Sequence, residues 1–241
     1  MHLTLGEYLV VASILVIGSF CQGTVGFGMN LIAAPIVGLV APQLMPATMV
    51  VVGVPMSVAM ALRERDHIQW RSVGVISAAR IPGTVAGAWL VAIASQRLLG
   101  GIIGVVVLVA VGVSLLSNDH DVTDPASVVA GATSGFMDTA AATGGPPVAL
   151  LFQHRPAAEV RSTLAVVFLA GTAISITGLA VTGSVEPWQL LTAVGLLPAV
   201  AIGVTASHRM AHLTAGKSLR PFVLGFAAAA GVAAIVKAAV A

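Results

Sequence analysis

Two short segments carry residue types suited to ion chemistry. The first is Gly23-Thr-Val-Gly26-Phe-Gly28-Met-Asn30. The second runs from Asp138-Thr139 through Thr143-Gly144-Gly145-Pro146-Pro147. Each interrupts a hydrophobic stretch and reads as helix, break, helix, because glycine costs backbone entropy and proline lacks an N–H. A helix that restarts inside a membrane presents free N–H groups and a partial positive charge. Such an end binds an anion without a basic side chain. Pro146 and Pro147 suit first helical positions, where a missing N–H costs nothing. Gly26, Gly28, Gly144 and Gly145 let an anion approach the backbone closely. The hydroxyls of Thr24, Thr139 and Thr143 and the amide of Asn30 complete the candidate shell, with Phe27 beside them. The competing reading is that these glycines only allow tight helix packing.

Two charged residues fall within the apolar stretches. Asp138 is the only carboxylate there, just before the second break, and Arg80 is the only basic residue well inside a span. Charges at such depth are expensive and usually functional. Asp138 is a candidate proton-coupling group or cation partner; the bland alternative is a helix-end acid at the interface. Arg80 is a candidate for attracting the anion or pairing with Asp138; the alternative is snorkelling to the nearer interface. His208 and His212 stand four apart, but no acid or cysteine accompanies them, so no metal is expected. Cys21 is the single cysteine, which excludes an intrachain disulfide, and no cofactor motif is present. Nothing resembles a nucleophile elbow or an intramembrane catalytic pair, so an enzyme is not expected.

These residues need a membrane scaffold to position them. Of 241 residues, 58% are hydrophobic and only 8% charged. That is too few charges to cover a soluble surface, where about 25% is usual. With 5% aromatics and long continuous apolar runs, the spans are helices and not barrel strands. The net charge of +2 reflects loop lysines and arginines, and no nucleic-acid partner is implied. The N-terminal stretch lacks the positive region of a signal peptide and is expected to be retained. The expected class is an all-α polytopic membrane protein in one transmembrane domain over residues 1–241.

Apolar stretches fall at 8–40, 44–62, 72–94, 98–117, 126–152, 161–183, 188–206 and 220–240. The first and fifth contain the two breaks. An internal repeat relates them: Gly18 aligns with Gly135, Gly28 with Gly145, Pro82 with Pro198 and Gly87 with Gly203. Interrupted segments at matching places of two halves point to a transporter's binding site. If both broken stretches are re-entrant, Arg63, Arg65, Arg71, Arg155, Arg161, Arg209, Lys217 and Arg220 share one face, opposed only by Arg97 and Lys237. The positive-inside rule favours that topology over eight full crossings. It gives two inverted repeats, about 8–117 and 126–240. Each is a broken element followed by three crossings, with both termini outside the cell membrane.

The break GTVGFGMN followed by Pro35, its counterpart ATGGPPVALL, and eight segments in two halves resemble the TauE/SafE sulfite exporter (TSUP) family over nearly the whole chain. Phe27, Met29 and Asn30 stand where family members often have glycine or small residues. The resemblance implies a secondary carrier in the cell (inner) membrane that moves sulfite, thiosulfate, sulfoacetate or a related sulfur anion, with export the expected direction. The alternatives are a permease for another small organic anion and a membrane subunit of a larger complex. The partners to be expected are the anion and the lipid bilayer, and a homo-oligomer would add a second copy of the chain.

Overall fold

The structure, a computed structural model, describes residues 3–25, 27–115, 122–210 and 220–240. Among them the elements are helical: α1 (Leu5–Val25), α2 (Met29–Val40), α3 (Ala47–Val52), α4 (Val54–Arg63), α5 (Trp70–Ile93), α6 (Gln96–Leu115), α7 (Asp124–Ala141), α8 (Gly145–Leu151), α9 (Ala157–Val181), α10 (Pro187–Arg209) and α11 (Arg220–Val240). Six of these contain segments long and apolar enough to cross a membrane, within α1, α5, α6, α9, α10 and α11. The chain is an all-α polytopic membrane protein.

Both expected breaks occur, between α1 and α2 and between α7 and α8. The set of long helices differs from expectation in the first half. The stretch 44–62, expected as one crossing, is two short helices meeting at Gly53, with Pro55 in the first turn of α4. Conversely α1, with 21 residues, is about 31 Å long at the helical rise and matches the hydrocarbon thickness alone.

Contacts at the helix ends sort the loops into two groups. At one end Arg161 pairs with Glu64 at 2.5 Å and Arg71 with Asp124 at 2.8 Å. Arg63 Nη1 bonds His208 Nδ1 there at 2.9 Å. At the other end Arg97 donates to the carbonyls of Ala238 and Ala239, and Lys237 to that of Leu39. Gln189 donates to the Gln43 carbonyl at that same end. Of the arginines grouped on one face by the sequence, Arg63, Arg71 and Arg161 are together at the first end. The side chain of Arg220 and residue Lys217 lie outside the described residues, as do Gly26, Asp119, His120, Asp121 and His212.

Small residues set the helix spacing, as they do where lipid supplies no hydrophobic contrast between helices. Helix α5 lies along α7, α1 along α10, α6 along α11, and α4 along α9. A Cβ on Gly83 would collide with the Ala132 carbonyl, and one on Gly135 with the Arg80 carbonyl. Gly203 meets the Val16 carbonyl in the same way, and Gly104 that of Gly231. These four glycines, all outside the two breaks, therefore permit close helix packing. A Cβ at Gly74 has nothing within 4 Å. Gly83→Ala is expected to lower stability by about 1–3 kcal/mol through overpacking, read as a fall in thermal unfolding temperature. Gly74→Ala is expected to leave that temperature unchanged or slightly higher.

Candidate functional site

The second break is built on a buried ion pair. Arg80, fully buried on α5, donates from Nη2 to Asp138 Oδ2 on α7 at 2.5 Å. Its Nη1 donates to Ser134 Oγ at 2.5 Å, and Ser134 donates to the Gly144 carbonyl at 2.6 Å. One guanidinium thus ties the acid on α7 to the loop that starts α8. Ser175 of α9 also donates to Asp138 Oδ2, at 3.2 Å. The guanidinium lies flat against α9 at Gly171, where any Cβ would collide with it. Arg80 does not snorkel; a charge this deep survives only because it is paired and hydrogen-bonded.

Helix α7 ends on Ala142, whose backbone is left-handed with φ 54°, and whose N–H donates to the Asp138 carbonyl at 2.7 Å. Gly144 packs against Ser134 and Asp138 so closely that a Cβ there would clash. Helix α8 then starts with Gly145, Pro146 and Pro147, so only Gly145 offers an N–H from those three positions. The prolines that fit the first turn also withdraw two of its donors.

The first break turns on Gly28, whose φ of 117° disfavours any side chain. Gln22 Oε1 accepts from the Met29 N–H at 3.0 Å, capping α2 from the preceding helix. The N–H groups of Asn30 and Leu31 follow in the first turn of a 12-residue helix. This end is the richer in donors. Asn30 Nδ2 donates to the Met49 carbonyl at 2.9 Å, which orients the amide.

The two breaks meet. A cavity of about 50 Å³ is lined by Phe27, Gly28, Met29, Asn30 and Leu31 from the first and by Ala142, Thr143, Gly144, Gly145 and Pro146 from the second. Asp138 reaches it, as do Gln22, Ser57, Phe168 and Thr172, while Gly53 brings the α3–α4 junction to its wall. That volume holds a few water molecules, the scale of a small inorganic ion. Two buried polar atoms of this lining, Asn30 Oδ1 and Thr143 Oγ1, have no hydrogen-bond partner among the described residues.

Of the residues expected at the site, Phe27, Gly28, Asn30, Asp138, Thr143, Gly144, Gly145 and Pro146 line this cavity. Arg80 stands behind Asp138. Two threonines do not reach the lining: Thr24 donates to the Cys21 carbonyl at 2.8 Å, and Thr139 to that of Gly135 at 2.8 Å. The Thr24 hydroxyl is claimed by its own helix, as is common for threonine in helices, while that of Thr139 also meets Ser175 Oγ of α9 at 2.9 Å and Thr84 Oγ1 of α5 at 3.3 Å. Gly26 lies outside the described residues. Among those residues no metal-ligating cluster occurs.

The family model for the sulfite exporter TauE/SafE matches residues 10–234, nearly the whole chain. The chain belongs to the TauE/SafE sulfite exporter family. No curated protein and no solved structure matches it. As a TauE/SafE member it is a membrane transporter, and both glycine-rich breaks fall within the matched region. The sequence missed Gln22, Ser57, Ser134, Gly171, Phe168 and Thr172, ordinary helix residues that only packing brings here. The α3–α4 junction carried a legible signal in Gly53-Val-Pro55.

Removing half of the ion pair strands a charge. Asp138→Leu is expected to cost about 3–5 kcal/mol, as for other broken buried pairs, seen as a large fall in unfolding temperature. Arg80→Met combined with Asp138→Leu is expected to recover most of that loss.

Proposed function

We propose that this TauE/SafE member carries a small sulfur-containing oxyanion, sulfite or thiosulfate, across the cytoplasmic membrane, bound in the cavity where the two breaks meet. One observation carries the reading: two separate chain breaks contribute to one small cavity, and the buried Thr143 hydroxyl in its wall has no partner among the described residues. The N–H groups of Asn30, Leu31 and Gly145 and the Thr143 hydroxyl are the donors assigned to the anion. Gly28 and Gly144 bring backbone to it, and Phe27 and Pro146 close its sides. The volume favours an inorganic ion over an extended organosulfonate such as sulfoacetate. A carrier with this site performs no covalent chemistry.

The helix pairing supports a two-repeat arrangement. Four pairings are kept when α1 is exchanged for α7, α2 for α8, α5 for α10 and α6 for α11: α1–α10 becomes α7–α5, α1–α2 becomes α7–α8, α2–α11 becomes α8–α6, and α6–α11 maps onto itself. The arginine-bearing end is assigned to the cytoplasm by the positive-inside rule, with both termini outside. An anion then leaves the cell down the inside-negative potential, and export needs no further coupling. Asp138, held by Arg80, is the coupling position if flux follows the proton gradient.

A permease for another organic anion is the second reading, separated by competition. Labelled sulfite flux into proteoliposomes of the purified protein is expected to saturate and to be blocked by thiosulfate but not by acetate. Thr143→Val is expected to lower flux about tenfold, the effect of one hydrogen bond to a charged ligand. Flux blocked equally by acetate would move the assignment to organic anions. A folded protein that passes none of these anions would overturn it.

A further inference from the structure

A second cavity, of about 190 Å³, lies beside the first. Its wall includes Ser114 at the end of α6, Ala149 and Leu150 of α8, Gln153, Arg155, and Ala157 and Val160 of α9. It belongs to the end of the bundle that holds the Arg161–Glu64 and Arg71–Asp124 pairs, since Arg155 and Ala157 precede Arg161 by less than two helical turns. Arg155 and Ala157 are exposed, so the recess opens to solvent there. Phe27 and Pro146 line both this recess and the central cavity. Nothing else is common to the two linings.

Phe27 is 8% exposed and packs across the break onto Gly145, where a Cβ would lie 3.6 Å from its own. Its ring belongs to an apolar cluster with Val148, Ala149 and Phe152. It precedes Gly28, the one residue of the described break with a positive φ. Pro146 is fixed in the first turn of α8, whereas a phenylalanine side chain can change rotamer. The partition therefore has one rigid wall and one movable wall. Arg155 supplies the positive charge of the recess. Glu159 Oε1 lies 3.9 Å from its Nε, too far for a hydrogen bond, so the guanidinium keeps donors for a passing anion.

We propose that this recess is the anion's path between the arginine-bearing end and the central cavity, with Phe27 as the gate and Arg155 as the charge that draws anions in. The proposal rests on the transport reading above, and it is tested without transport. In a Cys21→Ala background, Ala157→Cys reports on the mouth of the recess and Thr172→Cys on the central cavity. Each is titrated with the anionic thiol reagent methanethiosulfonate ethylsulfonate, applied to either membrane face in turn. The recess cysteine is expected to react from one face only. Phe27→Ala is expected to raise the rate at the cavity cysteine from that same face by about tenfold or more, leaving the recess rate unchanged. An unchanged recess rate also establishes that the variant is folded; Phe27→Leu serves if it is not. Arg155→Gln is expected to slow the anionic reagent in the recess about threefold or more relative to its cationic analogue.

The proposal is overturned if Phe27→Ala and Phe27→Leu both leave the cavity rate unchanged, or if the cavity is reached only from the face opposite the recess. Equal slowing of anionic and cationic reagents by Arg155→Gln would remove the steering part. Failure of sulfite flux would count against the transport reading and leave this accessibility result standing.

Discussion

The Arg80–Asp138 pair is the interaction on which the site depends. A guanidinium with no exposure cannot be left in an apolar bundle without a counter-charge, and Asp138 is placed to supply it. The consequences spread outward. Helix α5 must lie close to α7, which Gly83, Gly87, Gly131 and Gly135 permit. Helix α9 must offer a glycine where the guanidinium rests. The loop before α8 is held by Ser134, which accepts a hydrogen bond from Arg80 and donates one to the Gly144 carbonyl. The second break is thereby fixed in place, and the cavity has one rigid side.

The first break is held differently. No charge enters it among the described residues. Gln22 caps Met29, Asn30 reaches Met49, and Gly28 makes the turn. Within a bilayer, irregular backbone is tolerated only where protein buries it or a cavity solvates it. The two breaks meet this requirement for each other. Each supplies part of the wall that keeps the other from lipid, and the polar groups left over face the space between them. A small polar cavity at the meeting point follows from that constraint, and it is the site proposed for the anion.

Much of this was legible in the sequence. The clusters around Gly26–Gly28 and Gly144–Pro147 interrupt apolar runs too long or too polar to continue as helices, so the breaks and most of the cavity lining could be named. Arg80 and Asp138 were conspicuous because almost no other charge lies in an apolar stretch. What was hidden depends on helix rotation and register. Gln22, Phe168, Thr172 and Ser175 are unremarkable by type, and only the packing of α1 and α9 turns them inward. Thr24 and Thr139 were drawn to the site by type, yet their hydroxyls bond carbonyls within their own helices. The split of 44–62 was signalled by Gly53-Val54-Pro55, although the apolar stretch has the length of a single crossing.

The central claim is that one anion is held jointly by both breaks. Calorimetric titration of the purified protein with sulfite tests it most directly. The account predicts one site per chain, weakened about tenfold by Thr143→Val in the second break, and weakened also by Gly28→Ala in the first, where the positive φ of Gly28 sets the Asn30 and Leu31 N–H groups. Two independent sites, or an affinity indifferent to one of the two breaks, would contradict it.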